Sequence, residues 1–474
     1  LSLLTIQKHL QVFLLSIKLK YYLYGVYKME HLHQFVQSHA LVISSAILIV
    51  AYIFIAWEKI SKVTVAMIGA AITLVLGLLA QSKGHDAVID PHYFINFVDF
   101  NVIFLLIGMM IIVSIASKSG IFTWVANALL KKTKGHPVKI LLVLGFFTAV
   151  TSAFLDNVTT VILIVPVTFL IAKKLDINPI PYLITEILSS NIGGPATLIG
   201  DPPNIIIGSK AGFTFMTFLL ELTDIVFFIL VVTLFILWLC FRKDLVATKE
   251  KMEAVAELDN SKSITDKPLA IRSSVVLALV ILGFILHDVL HIESYVIALL
   301  GASFLMIFES PKRVLNGIEW NTIFFFIGLF IIIGGFEAAG GISVMAKWIL
   351  DVTHGNESAA AMLILWASGI LSGIVDNIPY TATMAPMIYQ IQLVEGAAYA
   401  HPLWWCLSLG ACLGGNMTII GAAANVIVSE TAAAHGKPIS FMKYLKYGVL
   451  ITFVSLVMSS IYIYLRFLLP AAHA

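Results

Sequence analysis

Val98-Asp99-Phe100-Asn101, followed by Ser152-Ala153-Phe154-Leu155-Asp156-Asn157, has a second copy later in the chain. The copy reads Ile318-Glu319-Trp320-Asn321, then Ser372-Gly373-Ile374-Val375-Asp376-Asn377. No gap is needed to superpose them. Gly108 falls on Gly328, Gly120 on Gly340, Gly135 on Gly355 and Pro166 on Pro386. After a shift of one residue, Gly193-Gly194-Pro195-Ala196-Thr197-Leu198-Ile199-Gly200 falls on Gly414-Gly415-Asn416-Met417-Thr418-Ile419-Ile420-Gly421, and Asn204 falls on Asn425. A duplicated hydrophobic chain punctured by polar residues is the pattern of a secondary transporter.

The surrounding composition agrees. Of 474 residues, 59% are hydrophobic and only 12% are charged, with mean hydropathy +0.97. A soluble domain carries about 25% charge. Apolar runs of about 20 residues recur, as bilayer-spanning helices require. The expected fold is an all-α polytopic membrane protein whose first partner is the lipid bilayer, with no nucleic-acid partner. No nucleotide-binding Gly-Lys-Ser/Thr loop and no nucleophile-base arrangement is visible, so nothing suggests an enzyme. The thirteen histidines form no metal constellation. Cys240, Cys406 and Cys412 have no ligand spacing and read as apolar filler. No cofactor is expected beyond a transported or coupling H+ or Na+.

Ten crossing helices are expected, at 39–57, 62–81, 100–117, 179–207 (broken), 222–241, 272–289, 293–309, 320–337, 402–429 (broken) and 444–467. Apolar arms at 138–172 and 359–391, each short and with a polar tip, read as re-entrant hairpins. Irregular backbone at membrane depth is tolerated only when buried in protein or facing water. Each half then has five crossings, and an odd number inverts the second half. Basic residues test this. One face collects Lys59, Lys62, Lys118, Lys131, Lys132, Lys134, Lys139, Lys173, Lys174, those from Arg242 to Arg272, Lys312, Arg313, Lys437, Lys443 and Lys446. The other keeps Lys28, Lys83, Lys210, Lys347 and Arg466. The crowded face is the cytoplasmic one by the positive-inside rule.

The chain divides into an N-terminal extension (1–38), repeat 1 (39–241), a polar cytoplasmic linker (242–270), repeat 2 (271–467) and a C-terminal tail (468–474). It begins at Leu1, and Met29-Glu30 would be a natural start. Residues 1–28 therefore read as upstream sequence. A bacterial inner (plasma) membrane is the expected location.

Four polar clusters fall inside the membrane: Ser152/Asp156/Asn157/Thr159/Thr160, Asn191/Thr197/Asp201/Asn204, Ser372/Asp376/Asn377 and Asn416/Thr418/Asn425. Glycine and proline flank them and break helices. The new helix ends offer free N–H groups and carbonyls to ions. A charged Asp at bilayer depth costs about 3 kcal/mol or more. Asp156 and Asp376 at the hairpin tips therefore need water, a cation or a proton, and Asp201 is a second acid beside a broken helix. None of the four clusters contains Lys or Arg, which leans toward a cation or a neutral hydroxide-like cargo. Each residue alone could be plain packing or interhelical glue, and each tip Asp could merely cap its arm. Asp99 and Glu319 read as helix-start acids. Trp404 and Trp405 read as interfacial anchors.

Ser152 to Thr160, Asn191 to Asn204, Asp376 to Met384 and Gly410 to Asn425 resemble the ion-transporter superfamily, in its ArsB/NhaD and P-protein branch, the arsenical-pump-like permeases with a citrate-transporter-like domain. The resemblance covers residues 40–467. It implies two inverted repeats of five crossing helices, each with a re-entrant hairpin and an interrupted helix. It also implies a transport domain moving elevator-fashion, often in a homodimer, and some arsenical pumps work with a partner ATPase. Ser152, Asp156, Asn157, Asn191, Asp201, Ser372 and Asn377 match the sodium/proton antiporters, while the second half is closer to the P-protein and arsenical-pump relatives. The Ser-Asn-Thr motifs of dicarboxylate symporters are absent, since Ile192 follows Asn191 and Met417 follows Asn416. The expected function is proton-coupled efflux of a small inorganic substrate, arsenite or antimonite, with a sodium/proton antiporter as the alternative and a carboxylate or anion transporter behind both. Asp156, Asp376 and Asp201 are the expected ion-coupling residues. Ser152, Asn157, Thr159, Asn191, Thr197, Asn204, Ser372, Asn377, Asn416, Thr418 and Asn425 are the expected substrate-binding residues.

Overall fold

The computed structural model describes residues 34–57, 59–80, 96–256 and 263–471. The extension through residue 33, Lys83 and residues 257–262 of the linker lie outside the described residues. The described chain is helical and contains no strand.

Repeat 1 runs α1 (Ala40–Trp57), α2 (Lys62–Ala80), α3 (Phe100–Lys118) and a short α4 (Ile121–Lys132). The first hairpin follows, α5 (Pro137–Phe154) and α6 (Asn157–Leu175). The broken helix is α7 (Ile180–Gly193) with α8 (Pro202–Ala211), and α9 (Phe215–Phe241) closes the repeat. The linker carries α10 (Lys249–Ala256), so it is not a plain loop. Repeat 2 runs α11 (Lys267–Ile285), α12 (Ser294–Met306), α13 (Trp320–Ala338) and α14 (Gly341–Val352). Its hairpin is α15 (Glu357–Val375) and α16 (Asn377–Glu395), its broken helix α17 (Ala397–Gly414) with α18 (Ala423–Ala434), and its last helix α19 (Phe441–Ile463). The sequence reading omitted α4 and α14, which start at the matched glycines Gly120 and Gly340 with φ of +82° and +85°.

The hairpin arms are longer than the sequence suggested. At 18 or 19 residues each spans about 27 Å, close to the hydrocarbon thickness. Length alone would make them full spans. The tips decide otherwise, because both reach one buried residue. The Asn157 amide lies 3.4 Å from an Asp201 carboxyl oxygen, and the Asn377 amide lies 3.2 Å from the other.

Side-chain contacts also fix the inversion. Helices α5 and α7 run side by side in the same direction: Tyr182 donates to the Pro137 carbonyl at their starts and Ser152 to the Ser190 carbonyl at their ends. Helix α8 then leaves toward the base of the second hairpin, where Lys210 sits over the Tyr389 ring. Helix α18 leaves toward the base of the first, where His435 stacks on Phe169. The two bases therefore lie on opposite faces. Lys251 of α10 bonds Asp176 at 2.8 Å, which places the linker at the base of the first hairpin and holds that exposed carboxyl below its usual range.

The remaining helices form a frame in which the repeats interlock. Helix α2 packs on α13, and α12 packs on α3. A Cβ on Gly108 would come within 2.9 Å of the Ala298 backbone, and one on Gly328 within 2.7 Å of the Ala66 backbone. These paired contacts register Ala66-Met67-Ile68-Gly69-Ala70 of α2 on Ala298-Leu299-Leu300-Gly301-Ala302 of α12. That match extends the repeat to a pair of helices the motif comparison left unaligned.

Candidate functional site

Both helix breaks are built the same way. Gly193 and Gly414 end α7 and α17, and Pro202-Pro203 restart α8, where a missing N–H does no harm. Unwinding frees backbone carbonyls, and matched asparagines bond them. The Asn204 amide donates to the carbonyls of Thr197 (2.8 Å) and Gly194 (3.4 Å). The Asn425 amide donates to those of Thr418 (2.9 Å) and Gly415 (2.7 Å). Thr197 bonds the Ala153 carbonyl, and Thr418 the Gly373 carbonyl. Ser152 bonds Ser190 and Ser372 bonds Ala411, both through carbonyls. These six predicted binding residues all serve the framework that ties each hairpin to its broken helix.

Asn157, Asn191, Asn377 and Asn416 form one buried network across the repeats, while Thr159 bonds the tip acid Asp156. Asp201 accepts from Asn157 and Asn377. Asn157 also donates to the Asn191 oxygen at 3.1 Å. Asn191 donates to Asn416 (3.0 Å) and Asn425 (2.8 Å). Asn416 donates to the Leu188 carbonyl. The centre of the network is Asp201, fully buried, while the tip acids lie to its sides.

The tip acids differ. Asp156 accepts from the Thr159 backbone (2.8 Å) and hydroxyl (2.5 Å), capping α6 with φ −64°. Asp376 caps α16 through the Ile378 N–H, with φ +109°, and pairs with Lys62 at 2.6 Å. This corrects the expectation that no base reaches the clusters. Lys62 starts a helix of the other repeat, and its position among surface lysines concealed its depth. Asp99 caps α3, as expected for a helix-start acid, and also accepts from Ser209. Glu319 makes no cap bond; its carboxyl is raised by burial and by the nearby Asp156 charge.

Two further readings change, and one buried acid was missed. Trp404 and Trp405 are 1% and 0% exposed and pack against Gln392, Phe213 and His401, so they are core residues of α17. Cys412 is not filler: its sulfur lies 3.7 Å from the Asn204 oxygen, which Ser408 also bonds at 2.7 Å. The shifted alignment places Cys412 on Asn191, a signal the sequence reading did not use. Glu186 is buried within α7 and bonded by Thr168; a lone acid in an apolar helix was its signal.

A family model described as a citrate transporter matches residues 52–410. The chain belongs to the citrate transporter family. An uncharacterized transporter of Mycobacterium bovis is 40% identical over 90% of this chain and 98% of its own length. The P protein of Sus scrofa is 31% identical over 89% of this chain and 59% of its own. Among solved structures, the Alcanivorax borkumensis YdaH transporter superposes with TM-score 0.58 at 13% identity, covering 90% of this chain and 97% of that one. The MtrF structure of Neisseria gonorrhoeae gives 0.55 at 12%, covering 88% and 97%. Among the described helices nine are long and apolar enough to cross a membrane. This citrate-transporter-family chain is an integral membrane transporter.

Proposed function

We propose that this protein is a proton-coupled secondary transporter in which Asp201 carries the exchange, and that its cargo is trivalent arsenite or antimonite moved outward. The carrying observation is the buried Asp201 carboxyl at the meeting point of both hairpin tips, bonded by the Asn157 and Asn377 amides and by the Cys412 thiol. At that depth the acid requires a proton or a positive cargo. As(OH)3 is neutral, and its hydroxyls suit carboxylate and amide acceptors; Ser408 and Cys412 beside Asn204 add a hydroxyl and a thiol. A bacterial inner membrane fits the mycobacterial relatives.

Movement of the hairpins and broken helices as one unit against the frame supplies alternating access. Its support is a mismatch. Asp99 and Glu319 are matched positions, yet Asp99 bonds Ser209 at the far end of α8 while Glu319 lies beside the tip acid Asp156. A unit centred on the pseudo-symmetry would give both the same partner. It sits instead toward the lysine-rich face.

Lys62 on Asp376 favours a second reading, sodium/proton antiport, because it displays a monovalent cation on that carboxylate. Citrate, suggested by the family's description, is a multiply charged anion, and the base that reaches the clusters, Lys62, is paired with Asp376. In proteoliposomes with an imposed pH gradient, arsenite counterflow is expected. Sodium-driven proton movement without arsenite flux moves the assignment to the antiporter, and citrate flux alone overturns both.

A further inference from the structure

Lys62 and Asp376 belong to different repeats and to different bodies. Lys62 is the first residue of α2 in the frame, and Asp376 is the tip of the second hairpin. Their separation is 2.6 Å, with the Asp376 side chain only 3% exposed. Charge pairing this close to burial is held by geometry, and its loss strands a carboxylate.

The pair is also confined to one repeat. The contacts of Gly108 with Ala298 and Gly328 with Ala66 set Lys62 of α2 opposite Ser294 of α12. A serine carries no charge, and Asp156, the matched tip, takes the Thr159 hydroxyl instead. Backbone conformation follows the same division. Asp156 has φ −64° and Asp376 has φ +109°, a region L-residues avoid. Two things differ at the tips: Pro379 stands at the Thr159 position and has no N–H to donate, so Asp376 is bonded by Ile378 instead, and Asp376 alone is paired with Lys62. Strain of this kind gathers at switching sites.

We propose that Lys62 is an internal counter-cation, a tethered ammonium that occupies Asp376 until the coupling cation, a proton or sodium, takes its place. This rests on the transporter reading above. The charge balances at each stage: carboxylate with ammonium is neutral, and so is carboxylate with one proton or one sodium ion. Lys62 keeps its own proton and stays with the frame while the hairpin moves. The other ionisable groups at Asp376 are Tyr52 of α1, which bonds the Pro379 carbonyl and Thr383, Tyr380 of its own arm and Asp201. Lys62 is thus the cation among them.

An amine that is held in an ion pair keeps its proton and reacts slowly with acylating reagents, by about tenfold or more for a close pair. The test measures labelling of Lys62 relative to exposed Lys59 in the full chain in nanodiscs, by mass spectrometry. The ratio is expected to rise about tenfold in Asp376→Asn, and in the wild type when sodium replaces choline or when the medium is acidified. In proteoliposomes Lys62→Gln is expected to lose gradient-driven accumulation while Lys62→Arg retains it. A ratio unmoved by Asp376→Asn, or unmoved by both sodium and acid, overturns the inference even where cargo flux is normal. A responsive ratio in a protein that moves no cargo upholds the cation exchange and faults the transport reading instead.

Discussion

At Asp201 the burial of a carboxyl between two amides has one consequence for mutagenesis. Asp201→Asn removes the charge with little change of volume, and it is expected to abolish proton-driven flux while the protein still folds. Thermal unfolding in detergent beside the flux assay checks both halves. Asp156 poses a separate question, because it caps α6 through Thr159. Asn is as good a cap as Asp, so Asp156→Asn should leave the unfolding midpoint close to wild type. Loss of coupled flux in that variant assigns the acid to transport, and retained flux leaves it a cap. These residues were legible in the sequence as polar side chains in apolar helices. Which of them meet was not, since Asn157, Asn377 and Asp201 come from three separate segments.

Elements repeat more faithfully than residues do. Asn204 and Asn425 close their helix breaks with the same pair of carbonyl bonds. Asn204→Ala and Asn425→Ala are therefore expected to destabilise the protein to a similar degree, by about 1–3 kcal/mol each for buried carbonyls left unbonded. Unequal losses in thermal unfolding would mean the breaks are not equivalent. Close packing gives a parallel case. A Cβ on Gly193 would sit 2.7 Å from the Ala149 carbonyl carbon, and one on Gly414 2.5 Å from the Gly369 oxygen. The glycines, prolines and asparagines of the breaks could be read directly, because chain interruption is a local property. The ends of the hairpin arms could not. The helices run on past the apolar stretch through Lys173-Lys174 and Gln392 to Glu395, where good helix formers give no stop signal, and the turns follow from Asp176 and Gly396 with positive φ.

On the scale of the molecule, the proposed movement would slide the hairpins and broken helices along the frame. The Asp99 and Ser209 side chains touch across that boundary. In a Cys240→Ser background, Asp99→Cys with Ser209→Cys is expected to cross-link under mild oxidation and stop flux, with recovery on reduction. Undiminished flux by the cross-linked protein would rule out relative movement at that contact.

Sequence alone determined that this chain lives in a bilayer, that it is duplicated, and that its halves are inverted. Hydrophobic length, motif spacing and lysine bias are all carried along the chain, so no folding is needed to read them. Only the tertiary structure decided that Asp201 is the centre, that Cys412 reaches the Asn204 oxygen of the other repeat, and that Lys62 neutralises one hairpin tip but not the other. Those are contacts between distant segments. The duplication that makes the fold legible also hides them, because identical motifs suggest identical surroundings that the two halves of this protein do not have.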